Sequence, residues 1–227
     1  MNKKNIIVIG SGPCGLSTAF SLTLKGYKVN VYEARQIAGG LGGSEKVDGM
    51  IYDYGPHIYH THDDNLKNFW NEHFGDLLEE KEFYSKNYKE GVLYDYPLSW
   101  DSIDKFPEKL KKQIYKEFKE KKPENIMRAR NFKEVVTAIV GPTLQNLFFE
   151  GYSKKLWGIP TTEMSAKWAP KRIEIRDKFS SFWHKQYSAA AIKGSGSIME
   201  RMVEKIKDKG GNVFFGHKLI ELKTRED

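Results

Sequence analysis

The sequence predicts an α/β fold in which a βαβ unit with a parallel sheet is interrupted by a mostly helical insertion. Three observations predict it. Residues 6–9, IIVI, form a short β-branched run that ends in Gly10. A helical pattern at Leu16, Ala19, Phe20, Leu22 and Leu24 follows, closed by Gly26, and a second strand-like run, KVNVY, occupies residues 28–32. From about residue 63 to 181 the alternation gives way to helical patterns punctuated by Pro107, Pro123 and Pro142, with EGVLYDYPL (90–98) reading as a hairpin or short strand pair. The boundaries this predicts are 1–80 and 186–227 for the βαβ domain, discontinuous in sequence, and 81–185 for the helical domain.

The first strand leads into Gly10-Ser11-Gly12-Pro13-Cys14-Gly15. Gly10 permits a tight turn, Gly12 lets a pyrophosphate approach the backbone, and Gly15 lets helix and strand pack closely. The helix N-terminus offers unpaired N–H groups and partial positive charge to phosphates. Glu33, at the end of the second strand and followed by Ala34 and Arg35, can accept hydrogen bonds from ribose hydroxyls. A GxGxxG string alone is weak; here strand, turn, helix, strand and acid occur in order. Cys14 sits where a thiolate is favoured but reads as a small packing residue.

After Glu33 and five intervening residues come Gly39, Gly40 and Leu41, within AGGLGGS. The glycines give a backbone path that can lie against a cofactor, or, in the plainer reading, a flexible loop. The spacing of Glu33 and Gly39-Gly40 resembles the extended fingerprint of FAD proteins in the group that includes amine oxidases, protoporphyrinogen oxidases and UDP-galactopyranose mutases. That resemblance implies a Rossmann-like FAD-binding domain.

Composition narrows the partners. The 227 residues carry 37 Lys and Arg against 30 Asp and Glu, a net charge of +7. The basic residues form no single tract. The densest charged stretch, KLKKQIYKEFKEKK (109–122), reads as an amphipathic helix with Leu110, Ile114 and Phe118 on one face, so nucleic-acid binding is not predicted and an anionic small molecule accounts for the excess. No apolar run approaches eighteen residues and MNKKNIIVIG does not read as a signal peptide, which predicts no membrane insertion. A single cysteine excludes an internal disulfide framework and points to a cytoplasmic location.

The stretch YDYGPHIYHTH (52–62) holds His57, His60 and His62. A metal site is not predicted: Gly55-Pro56 disfavours a helix that would align the histidines, and no downstream Cys/His cluster adds ligands. Packing and turn chemistry serve His60 and His62. With its flanks the stretch resembles the YGxHIFHT segment of UDP-galactopyranose mutases. The resemblance implies that Gly55, Pro56, His57 and Ile58 lie against the flavin, with His57 beside the ring. Further on, GYSKKLWG (151–158) followed by Lys171-Arg172 is similar to that family's GYTxKQWG motif and its Lys-Arg pair. This implies that Tyr152 and Trp157 line a sugar-nucleotide cleft and that Arg172 clamps the diphosphate, roles that suit aromatic faces and a guanidinium. Leu156 departs from the family's glutamine, and Trp183 falls where a tyrosine is expected. The glycines at 194–196 look more like the helix start of protoporphyrinogen oxidases and amine oxidases. GGNVFFGHKLIEL (210–222) reads as strand, turn and strand, and the resemblance implies that Leu219 contacts the adenine.

The resemblance implies an FAD enzyme that interconverts pyranose and furanose forms of a UDP-sugar, with N5 of the reduced flavin attacking the anomeric carbon. An FAD oxidoreductase of the amine oxidase or protoporphyrinogen oxidase type is the alternative. A third reading is a truncated, non-catalytic nucleotide-binding module, completed by a second copy or another chain, because family members continue beyond residue 227.

Overall fold

The computed structural model describes residues 5–122, 124–168 and 173–223. The chain divides into two compact units, Met1–Glu82 with Lys185–Asp227, and Phe83–His184.

The first unit opens with β1 (Asn5–Ile9), α1 (Pro13–Leu24) and β2 (Lys28–Tyr32), and β1 pairs parallel with β2, Ile7 opposite Asn30. Pro13 opens α1 in the first turn, where its missing N–H costs no helical bond. The helix closes in a Schellman motif: Gly26 has φ +76°, its N–H bonds Thr23 O at 2.8 Å, and Tyr27 N–H reaches Leu22 O at 3.0 Å. A hairpin follows, β3 (Ser44–Val47) and β4 (Met50–Asp53), turning at Asp48 and Gly49, both left-handed at φ 51° and 78°. Then come β5 (Tyr59–Thr61), α2 (Asp64–Phe74), whose first turn is capped by Asp63 accepting from Asn65 N at 2.8 Å, and β6 (Leu78–Glu80).

The second unit begins with a hairpin of β7 (Ser85–Lys89) and β8 (Val92–Tyr96), and continues as α3 (Trp100–Ile103), α4 (Glu108–Lys119), α5 (Glu124–Arg128), α6 (Phe132–Val140) and α7 (Pro142–Leu144). A π-helical turn, Gln145–Glu150, leads directly into α8 (Gly151–Trp157). Its core gathers Ile103, Ile114, Phe132, Val136, Val140 and Leu144, all essentially buried. The amphipathic spacing of α4 appears here in space: Ile114 is fully buried, Leu110 packs on the same core, and the Phe118 ring meets Trp100 edge-on at 4.6 Å.

The chain then returns to the first unit. Strand β9 (Tyr187–Ala191) lies antiparallel between β5 and β6, and α9 (Gly196–Asp208) leads to β10 (Asn212–Phe214), parallel to β2, giving the order β1-β2-β10. Leu16, Ala19 and Phe20 of α1, Ile198, Met202 and Ile206 of α9, and Val29 and Val31 of β2 form one buried cluster. The spacing of four residues along each helix puts these side chains on one face, as the hydrophobic pattern of α1 predicts.

The end of this unit departs from the prediction. After β10 the chain turns at Gly216, whose N–H bonds Arg35 O at 3.0 Å, and His217 N–H bonds Glu33 O at 2.8 Å. No second strand follows among the described residues. Residues 218–222 have no strand to pair with there, so Ile220 and Leu222 stay 91% and 81% exposed and Leu219 is half-exposed.

The glycines at 194–196 have a local cause. The Asp53 carboxylate accepts Ser195 N–H at 3.1 Å and the Ser44 hydroxyl, and Ser44 Oγ accepts Gly196 N–H at 2.7 Å. A Cβ at Gly194 would stand 2.8 Å from Asp53 Oδ1, and one at Gly196 2.7 Å from Ser44 N. The β3–β4 hairpin thus sits against the start of α9, and only glycine leaves it room.

Candidate functional site

In the first unit the turn between β1 and α1 is built from three glycines in three different situations. Gly10 has φ +90°, a conformation that favours glycine, and its N–H bonds Tyr32 O at 2.8 Å. At Gly15 an added Cβ would stand 2.0 Å from Gly10 O, so α1 can approach β1 only with glycine there. At Gly12, with φ −70°, an added Cβ would meet nothing within 4 Å; the space above its backbone is open. Helical bonding starts with Leu16 N–H to Gly12 O at 2.9 Å, so the N–H groups of Cys14 and Gly15, in the first turn of α1, have no carbonyl of their own helix to bond.

The second glycine element forms a hydrogen-bonded turn. Gly39 N–H bonds Ser11 O at 2.8 Å, tying it to the first turn, and Gly40 lies close enough that a Cβ would touch Gly12 Cα at 3.3 Å. Gly39 has φ +110° and Gly42 packs on the Pro13 ring, while the Leu41 side chain projects outward.

Glu33 is buried at the end of β2. Its Oε2 accepts Ser11 N–H at 2.7 Å and Ser11 O–H at 2.8 Å, and its Oε1 accepts Arg35 N–H at 2.8 Å. A carboxylate has about four acceptor positions, and these three bonds, with the Ala34 N–H beside them, take up most of them. Burial pushes the Glu33 carboxyl up, but the bonds from Arg35 and Ser11 outweigh it and hold the group below its ordinary value. The Arg35 side chain turns away to the β3–β4 hairpin, donating to Tyr54 O–H at 2.9 Å with Glu45 at 3.7 Å. Ala34 separates these two residues and makes no side-chain hydrogen bond.

Beside the start of α1 lies a cavity of about 490 Å³ lined by Cys14, Gly42, Pro56, His57, Ile58 and Met199, among others. Residues more than 40 positions apart in sequence, and part of α9, are therefore brought to one place. His57 Nδ1 is buried there without a hydrogen-bond partner. Tyr59, also lining it, is pushed up by burial to about 12. Cys14 is exposed at the cavity mouth, which corrects its reading as a packing residue: the helix face it occupies is not the one turned to the core. Gly55, at φ +133°, provides the turn that presents Pro56 and His57. His60 lies on β5, exposed, with Nδ1 3.1 Å from Gln186 Oε1. Among the described residues no three His, Cys, Asp or Glu side chains gather as a metal site.

The second unit holds an aromatic pocket of about 430 Å³. Tyr152, Leu156 and Trp157 of α8 line it with Phe148 and Phe149 of the π-turn and Tyr96 of β8. Trp157 and Tyr152 keep half or more of their surface free, and Trp157 meets Trp168 edge-on at 4.3 Å. Tyr152 and Leu156, four residues apart on α8, share one helical face, and Phe148 of the π-turn meets them at the pocket. Trp168 and Phe182 line the pocket too and escaped sequence reasoning, since neither belongs to a periodic pattern. Trp183 packs against Phe182 at 4.7 Å and Phe83 at 6.0 Å. Lys171 and Arg172 lie outside the described residues.

Comparisons with known proteins agree with this architecture. Residues 8–73 match the NAD(P)-binding Rossmann-like domain family. Over 221 residues the chain is 28% identical to a probable UDP-galactopyranose mutase of Klebsiella pneumoniae, covering 92% of this chain and 54% of that protein. The chain is similar to UDP-galactopyranose mutases. It is also 31% identical over 196 residues to a dTDP-fucopyranose mutase of Escherichia coli, covering 82% of this chain and 50% of that one. The crystal structure of a reduced UDP-galactopyranose mutase superposes with a TM-score of 0.73 at 23% identity over 94% of this chain and 49% of that one, which establishes a shared fold. The chain spans about half the length of the curated mutases it matches. Among the described residues no helix is long and apolar enough to cross a membrane.

Proposed function

We propose that this chain forms the cofactor-binding part and a substrate-binding part of an FAD-dependent mutase that interconverts ring forms of a UDP-sugar. The observation that carries the reading is the aromatic pocket: the residues of GYSKKLWG converge in the second unit on a cavity whose faces suit a pyrimidine or sugar ring.

Three features of the first unit fit FAD. The open space over Gly12 at the start of α1 suits a pyrophosphate, the Glu33 carboxylate at the end of β2 suits a ribose hydroxyl, and His57 Nδ1 is a buried polar atom without a partner. Gly10, Gly12 and the first turn of α1 would hold the pyrophosphate, and Pro56, His57 and Ile58 would form a wall beside the flavin. When bound and reduced, the flavin supplies a nucleophile for the sugar. Tyr152 and Trp157 orient the nucleotide and exclude water from it, and Arg172 pairs with the diphosphate. The glycines at 194–196 leave room for Asp53 and Ser44, and an FAD oxidoreductase remains the alternative reading.

The test is spectroscopic first. Purified protein is expected to carry, or take up, FAD with visible absorption that bleaches with dithionite; a colourless protein that refuses added FAD overturns the cofactor assignment. A titration with UDP then examines the pocket. Trp157→Ala and Arg172→Ala are each expected to weaken UDP binding about tenfold or more, and unchanged affinity in both removes the substrate assignment.

A further inference from the structure

We propose that Glu150 is a positioning residue that staples the ends of the segment carrying Tyr152 and Trp157. The inference rests on the reading of the aromatic pocket as the nucleotide-sugar site, and assigns a function to a carboxylate that lies outside the pocket lining.

The π-turn Gln145–Glu150 makes the first half of the staple possible. In an α-helix, residues five apart point in different directions, whereas the wider π-turn brings them together. Gln145, 2% exposed, donates Nε2–H to Glu150 Oε2 at 2.7 Å. The second half comes from beyond α8. Thr161, fully buried, donates its hydroxyl to the same Oε2 at 2.8 Å, a bond between residues eleven apart. It closes a loop consisting of α8 and the turn after it. Lys133 Nζ lies 3.4 Å from that oxygen. Thr161 is itself held, because its carbonyl accepts Lys133 N–H at 3.2 Å and the neighbouring Met164 carbonyl accepts Phe132 N–H at 2.9 Å. One carboxylate oxygen therefore joins the π-turn, the start of α6 and the segment leading to Trp168. These are the elements that bring Phe148, Tyr152, Trp157 and Trp168 to one cavity.

Wild type, Glu150→Ala, Glu150→Gln and Thr161→Val are compared by UDP titration and by near-ultraviolet circular dichroism, with Trp157→Phe identifying the signal of the Trp157–Trp168 pair. Glu150→Ala and Thr161→Val are expected to weaken UDP binding about tenfold and to lose that signal, with the far-ultraviolet spectrum unchanged. Glu150→Gln keeps an oxygen that accepts from both Gln145 and Thr161, so it is expected to stay within about twofold of wild type. Wild-type affinity and an intact Trp signal in Glu150→Ala and Thr161→Val overturn the proposal. So does a Glu150→Gln protein as impaired as Glu150→Ala. If Glu150→Ala fails to fold, Thr161→Val, which keeps the side-chain shape, decides. A wild type that does not bind UDP refutes the substrate reading instead, and the Trp signal alone then decides the staple.

Discussion

At the scale of single residues, the glycines of the first turn separate stability from binding. Gly15→Ala is expected to destabilise the first unit by about 2 kcal/mol or more, because its Cβ would overlap Gly10 O and α1 would have to move. Gly12→Ala meets no protein atom, so stability is expected to stay within about 0.5 kcal/mol of wild type while FAD affinity falls at least tenfold. Denaturant unfolding and flavin titration of both variants check the pair; equal behaviour would refute the division of labour. Glu33 gives a pH dependence. Its carboxyl is held below the ordinary value in the fold, so its contribution is complete above the unfolded value, about 4.3, and is lost as pH falls through the folded one. Melting temperatures of wild type and Glu33→Gln are therefore expected to differ most near neutrality and to converge in acid. The roles of Gly10 and Gly15 could be read from the string itself, since turn and helix approach are local. The loss of three of four acceptor positions on Glu33 to Ser11 and Arg35 could not, because it depends on how two loops meet.

Among the elements, α9 shows where sequence reading ran short. That a helix starts after the glycines at 194–196 was legible, as were α1 and α4 with their apolar stripes, whereas the buried face of Ile198, Met202 and Ile206 was not singled out. What holds its N-terminus was not legible either: Asp53, which accepts Ser195 N–H, lies 142 residues earlier, and no local pattern announces such a partner. Asp53→Ala removes a carboxylate from a helix start and leaves Ser195 and Ser44 without their acceptor. A loss of about 1–3 kcal/mol is expected, with faster amide exchange over 195–199 than over 203–208, and uniform exchange along α9 would contradict it. The π-turn was equally illegible, since one widened turn shifts the apolar phase by less than a sequence pattern can resolve. The missing strand after Gly216 marks the opposite error: HKLIEL has strand composition, but a strand needs a neighbour to pair with.

At the scale of the whole molecule, the described residues form two hydrophobic cores, one in each unit. Phe20→Ala is expected to cost about 3–5 kcal/mol and to lower amide protection in α1, α9 and β2 while leaving α4 and α6 protected; a uniform loss would show that the cores are not separate. The order of the elements was largely legible because βαβ and helical patterns differ in period, but the sheet order β1-β2-β10 depends on a strand 180 residues after its neighbour. That topology has a consequence for synthesis. On the ribosome, α1 and β2 emerge within the first 32 residues, but the helix that covers Leu16 and Phe20 is not made until residues 196–208. The first unit thus waits for α9 through the translation of Phe83–His184, which forms a compact unit of its own. The middle of the chain can fold first, and the ends meet last.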